Sequence, residues 1–339
     1  MTSKGTVSRA VFWLISVLGY PVGAQAYDAA AATIAANSGI CDDARPFYWE
    51  IGGPGGGPIV SGQVGDSPPD RDTVVHLASA SKWVLGTYVV QRYNGIPRGV
   101  SGAKIVQALN MRAGYTNLDD SLCVNGSAES ESYTVADCFF DGDDDGSNSD
   151  HDEALEETFF YDSGHAQYAA ATATLLNLGD RTTATLLAEV NSQLNLGPTF
   201  AYAATNVSGG MQASAADYAV FLQKIMDGTY VIHDRLDFHP VDTACAEWWN
   251  CPGSPAGSVD FHYSLHHWIE DNTTGTLPNG KALAAGDGAF SSAGAFGFYP
   301  WISNDLLYYG IISREGESGV GGDSLVCGRA IRGAFLELW

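Results

Sequence analysis

The order in which strand-like and helix-like stretches follow one another constrains this chain most. Two short apolar runs come first, Pro46–Gly52 with Phe-Tyr-Trp-Glu-Ile inside it and Pro58–Val64, separated by a turn-forming stretch from Gly53 to Gly57. Helical periodicity takes over from Ser81 to Tyr93, where Trp83, Val84, Leu85, Tyr88 and Val89 make a broad apolar face. Ser101 reads as the N-cap of a shorter helix, and residues 114–160 are polar and loop-rich. Two further helices are predicted over His165–Leu178 and Ser214–Met226, the second opening on the capping-box spacing Ser214…Asp217. Leu306–Ser313 reads as a buried strand and Arg329–Leu338 as a closing helix. Strands at both ends of a helical middle predict an α+β architecture with an antiparallel sheet built from both chain ends and flanked by helices. The expected division is a discontinuous sheet domain over 27–90 and 230–339 and a mainly helical domain over 91–229.

The first 26 residues read as a signal peptide. Lys4 and Arg9 precede an apolar run from Ala10 to Leu18, and Ala24-Gln25-Ala26 supplies the small-x-small cleavage pattern before Tyr27. The run is too short for a membrane span, which needs about 20 apolar residues. The chain is therefore expected outside the cytoplasm, secreted or periplasmic, and not in a membrane. A net charge of −23 repels phosphate backbones and anionic lipid surfaces, which argues against nucleic-acid and membrane partners.

Six cysteines suit an oxidising compartment, and no CxxC pair suggests a metal site. Proximity in sequence suggests Cys123–Cys138 and Cys245–Cys251, which leaves Cys41 to Cys327, a bridge between the two chain ends.

Of the five lysines, at positions 4, 82, 104, 224 and 281, only Lys82 sits in an apolar setting, inside His76-Leu-Ala-Ser-Ala-Ser-Lys-Trp-Val-Leu. A charged amine there is costly unless it is paired or used. Ser79 precedes it by three residues, so on a helix the two side chains share a face. A serine hydroxyl attacks only when a neighbouring base takes its proton, and a lysine desolvated by apolar neighbours can be that base. Ser101-Gly-Ala-Lys104 repeats the pattern, but a capping serine with a surface lysine accounts for it. Ser81 is the competing candidate for a cap at the first site.

On these residues the chain resembles the serine β-lactamase and penicillin-binding protein superfamily, especially class C β-lactamases and the related family VIII carboxylesterases. Phe160-Tyr161-Asp162-Ser163-Gly164 looks like the family's second motif, Tyr-x-Asn or Tyr-x-Ser, and Gly209-Gly210-Met211 followed by a capped helix is similar to a turn in the same relatives. Ser292-Ala293-Gly294-Ala295 looks like the third motif, usually Lys-Thr-Gly or His-x-Gly. Tyr115-Thr116-Asn117 is a second match to the Tyr motif. It lies too soon after Ser79 to leave room for the helical insertion that separates these motifs, so Tyr161 is preferred.

The resemblance implies a β-lactamase-like fold and acyl transfer through an acyl-enzyme on Ser79. Lys82 and Tyr161 would share the proton, and the backbone N–H groups of Ser79 and Ala295 would hold the oxyanion. Ser163, Ser292, Gly294 and Phe296 are the expected substrate-binding residues. Ser292 stands where the relatives carry a cation that meets the substrate carboxylate. That replacement, the acidity of the chain and the aromatics Phe296, Phe298, Tyr299 and Trp301 shift the expectation toward neutral esters, including oligo- or polyesters. The alternatives within enzymes are a β-lactamase, a D-amino-acid peptidase or an amide-oligomer hydrolase. From another class, the alternative is a non-catalytic exported binding protein.

A nucleophile elbow, a P-loop, a His-Glu-x-x-His and a Rossmann fingerprint are all absent from the sequence. His262, His266 and His267 read as structural or cleft-lining. Asp141, Asp143, Asp145 and Asp152 fit the start of a calcium loop, but Asp stands where a bidentate Glu is usual. A solvated acidic loop is the preferred reading; a structural calcium holding the segment before Tyr161 is the alternative. The proposed chemistry requires no cofactor.

Overall fold

The computed structural model describes residues 27–124, 132–143, 146–243, 254–256, 259, 261–271, 274–277, 280–283 and 286–338. The leader predicted over 1–26 and the Cys245–Cys251 pair lie outside them. Nine helices occur among these residues: α1 (Ala29–Ala36), α2 (Ser81–Arg92), α3 (Gly99–Leu109), α4 (Asp120–Val124), α5 (Val135–Phe140), α6 (Gly164–Ala171), α7 (Thr183–Leu194), α8 (Ala215–Met226) and α9 (Gly321–Phe335).

Strands β1 (Phe47–Gly52) and β2 (Pro58–Val64) pair antiparallel across the predicted turn. β1 also pairs with Tyr309–Ser313, near the other end of the chain, so that Trp49 faces Ile312 and Ile51 faces Gly310. From there the sheet continues through Tyr299–Ile302, Ala289–Ser291, His267–Glu270, His262–Ser264 and Val241–Asp242, eight strands in all. The α+β prediction, with a sheet drawn from both chain ends, is borne out. β1 is buried along its whole length because both of its faces are covered. Phe47, Trp49 and Ile51 pack on one side with residues of α1 and α9, and Tyr48 joins the core around α2 on the other. β2 alternates between half-buried and exposed positions as an edge strand, with Pro58 at its first position. The Cys41–Cys327 disulfide ties the segment after α1 to α9, and Cys123–Cys138 ties α4 to α5.

Helix α2 runs through the centre of the larger core, and every residue from Ser81 to Val90 is buried. Gly86 makes this possible on one side. A Cβ there would lie 2.1 Å from the Leu265 carbonyl, so only glycine lets the His262–Glu270 hairpin settle on the helix. Several boundaries differ from the sequence reading. α3 begins at Gly99, so Ser101 lies within its first turn and caps nothing. α6 stops at Ala171, where the Thr172 hydroxyl bonds back to the Tyr168 carbonyl and competes with the helical ladder. α9 begins earlier than the predicted Arg329. Its glycines hide it from a propensity reading, yet Gly328 is there because a Cβ would strike the Tyr299 ring at 2.4 Å. Ser214 caps α8 as predicted, accepting from the Asp217 N–H.

Candidate active site

Ser79 sits in a short 3-10 turn, Ala78–Ala80, that runs directly into α2. Ala78 adopts a left-handed conformation (φ 44°), which costs a non-glycine residue free energy and is kept only where the surroundings fix it. Those surroundings are specific. Leu77 N–H donates to the Met211 carbonyl, the Ser81 hydroxyl accepts from Met211 N–H, and the Ser292 hydroxyl donates to the Ser79 carbonyl at 3.0 Å. Ser81 therefore ties the Gly-Gly turn to α2; it does not cap the helix.

One turn on, Lys82 is 2% exposed. Its amine donates to Ser79 Oγ at 3.2 Å, Ser163 Oγ at 3.0 Å and the Ser208 carbonyl at 3.2 Å, which uses its three donors. None of these acceptors is charged. Burial pulls the pKa of Lys82 down to about 8, against a weaker opposing pull from Asp120 and Asp162. The amine also lies 5.0 Å from the centroid of the Tyr161 ring. Tyr161 stacks on Trp268 and meets Tyr263 edge-on, and burial raises its phenol to about 12; the facing Ser79 hydroxyl and Trp268 indole lower it only in part. Of these two bases, Lys82 gives up its proton first.

Ser163 occupies the N-cap position of α6 but makes no cap bond. Asp162 takes that role, accepting from Gly164 N–H at 2.7 Å, and frees the Ser163 hydroxyl for Lys82. The Ser208 carbonyl is held by a turn in which Asn206 Oδ1 accepts the Ser208 N–H. Gly210 is required beside it, since a Cβ would come within 2.5 Å of the Ala204 carbonyl.

Ser79 and Tyr161 open onto a cavity of about 310 Å³, walled by Phe261, Trp268, Leu277 and Leu325 and floored by Ala293, Gly294 and Ala295. No lysine, arginine, aspartate or glutamate lines it among the described residues. Gly294 brings the third motif against the nucleophile, because a Cβ there would lie 2.2 Å from the Leu77 carbonyl. The Ala295 N–H donates no hydrogen bond among the described residues, while its carbonyl accepts from Gly319. The Ser79 N–H comes before the first bond of its turn, Ala80 N–H to the Leu77 carbonyl, and is likewise a donor at a helix start.

The structure therefore brings Ser79, Lys82, Tyr161, Ser163, Gly294 and Ala295 together. Of the four expected substrate contacts only Gly294 lines the cavity; the Ser163 hydroxyl is taken by Lys82, and the other two lie elsewhere. Ser292 is buried behind the nucleophile and bonded to its carbonyl, and Phe296 turns edge-on to His76, outside the described lining. Phe298, Tyr299 and Trp301 do not line the cavity either. The Tyr299–Ile302 strand is covered on both faces, and all three, Phe298 just before it included, are core: Phe298 against Tyr218, Tyr299 on Glu270, Trp301 beneath Arg332. Beside Tyr161, the cavity's aromatic walls are Trp268 and Phe261, neither of which the sequence reading assigned. Those histidines are structural. His267 is buried on Trp83, His266 faces the Leu109 carbonyl, and His262 pairs with Asp271 at 2.6 Å.

The rival matches separate from the site. Ser101 and Lys104 are exposed on α3, and Tyr115 stacks on Tyr168. In the acidic loop, Asp141 accepts from the Tyr133 hydroxyl and Asp152 from the Ala154 N–H. Asp145 and the side chain of Asp143 lie outside the described residues, and no group of three or more metal-ligating side chains occurs among the described ones.

No protein-family model and no curated protein matches the sequence. Solved structures do. A class C β-lactamase from Rhodobacter sphaeroides is similar with a TM-score of 0.55 at 14% identity, over 89% of this chain and 98% of that one. The D-amino acid amidase from Ochrobactrum anthropi, solved with D-phenylalanine, gives 0.54 at 14% over 89% and 98%. A penicillin-binding protein from Bacillus halodurans gives 0.54 at 11% over 86% and 98%. The fold is that of the serine β-lactamase and penicillin-binding protein superfamily. The resemblance read from three short motifs is thus borne out at the level of fold.

Proposed function

We propose that this chain is an exported serine hydrolase of the family VIII carboxylesterase type, which transfers the acyl group of a neutral, apolar ester to water through Ser79. The observation that carries this reading is the Lys82 amine, almost wholly out of solvent, 3.2 Å from a serine hydroxyl that opens onto an apolar cavity. In its neutral form the amine accepts the Ser79 proton as Oγ bonds to the ester carbonyl carbon. The oxyanion is met by the N–H groups of Ser79 and Ala295. Collapse breaks the bond to the alkoxy oxygen, which takes the proton back from Lys82 by way of Tyr161. Water then repeats the sequence on the acyl-enzyme and frees the acid.

Neutral esters are favoured over anionic lactams or peptides because no cationic side chain lines the described cavity and the chain carries a net charge of −23. Export is supported by two disulfides, and no helix among the described residues is long and apolar enough to cross a membrane. Parallel assays with p-nitrophenyl butyrate and nitrocefin test the substrate class: turnover of the ester with little of the lactam is expected, and the reverse makes the chain a β-lactamase. A fluorophosphonate probe that labels nothing would leave a binding protein.

A further inference from the structure

Tyr161 is delivered to the cavity by a loop, and a loop aims a side chain only as well as its backbone is held. The peptide before Tyr161 is held on both sides. Phe160 N–H donates to the Met111 carbonyl at 2.9 Å. The Phe160 carbonyl accepts from His165 Nε2 at 2.8 Å, and the same ring accepts the Ala113 N–H at Nδ1, at 2.9 Å. A backbone N–H can only donate, so Nδ1 carries no proton and the ring hydrogen is on Nε2. His165 is completely buried, and burial, reinforced by His151 and Lys82, depresses its pKa to about 4, which keeps the ring neutral. One imidazole thus spans the end of α3, the Tyr161 loop and the start of α6.

We propose that His165 is a positioning residue for Tyr161: its imidazole ties the Phe160 carbonyl to Ala113 and thereby aims the phenol at Ser79 and Lys82. This rests on the hydrolase reading above, in which Tyr161 passes protons. His165 does not line the cavity, and its two ring nitrogens are taken by Ala113 and Phe160, so its effect on the chemistry runs through Tyr161. A purely structural histidine would lower stability without that coupling.

The test is a double-mutant cycle on the full chain, with kcat and KM for p-nitrophenyl butyrate measured for the parent, His165→Phe, Tyr161→Phe and the double variant. His165→Phe keeps a ring of similar size and removes both bonds. It is expected to lower kcat by about tenfold or more with KM within about twofold, and to cost nothing further once Tyr161 is Phe. His165→Asn, which keeps a donor and an acceptor, is expected to recover part of kcat, and it carries the same cycle if His165→Phe does not fold. Losses that multiply in the double variant, or an unchanged kcat in His165→Phe, overturn the proposal. An active parent with multiplying losses refutes only the clamp; a parent inactive on this ester refutes the esterase reading, and one that also fails to react with a fluorophosphonate refutes the hydrolase reading itself.

Discussion

Ser79–Lys82 and Ser101–Lys104 present the same four-residue pattern on two successive helices, and the protein treats them in opposite ways. The first lysine enters the centre of the core, where its amine finds three uncharged oxygens and burial draws its pKa to about 8. The second projects from α3 with its serine, both of them exposed. The residues are equal; the desolvation is not. What desolvates Lys82, and on the proposed reading fits it to act as a base, is the ten-residue buried run of α2 and the glycine that lets a hairpin close over it.

That contrast can be broken by experiment. Lys82→Ala should lower kcat on p-nitrophenyl butyrate by several orders of magnitude, whereas Lys104→Ala should leave it unchanged. Equal effects would show that burial is not what separates the two sites. The two tyrosine matches sharpen the same point: Tyr161→Phe is expected to cost about 100-fold or more in kcat, and Tyr115→Phe, which keeps the stack on Tyr168, less than about twofold. A large loss at Tyr115 would move the second motif.

The smallest expected effect concerns stability. His165 and His267 are buried and held neutral, each with its pKa lowered to about 4. The unfolded chain takes up their protons near the ordinary value of about 6.5, so stability is complete above that value and falls as pH drops toward 4. Tm should decline over this window, and His267→Phe, which keeps a ring on Trp83, should shallow the decline. An identical slope in that variant would remove His267 from the linkage.

The parts of this molecule that could be read from its sequence are those in which one short segment carries the whole signal. Ser79 with Lys82 was legible because a cation among Leu, Trp and Val needs a reason. The opening strand pair was legible from its two short strand-like runs and the glycines between them. The third-motif aromatics misled because apolar character marks burial without saying which face is buried. With the sheet covered on both sides, Tyr299 and Trp301 went to core, and Phe298, just before the strand, packed on Tyr218. The cavity walls could not be read, since Phe261, Trp268, Leu277 and Leu325 come from separate segments that only the folded sheet and α9 bring together. The Ser208 carbonyl that takes the third hydrogen bond of Lys82 is backbone and leaves no mark in a sequence.

The central claim is that a desolvated Lys82 activates Ser79. It is tested most directly by the rate at which a fluorophosphonate probe labels the full chain as a function of pH, with the modified residue located by peptide mass spectrometry. A label on Ser79, forming at a rate that rises with pH around a midpoint of about 8, is the predicted result. A rate flat between about pH 6 and 10, or a label that persists at another serine in Ser79→Ala, would contradict it.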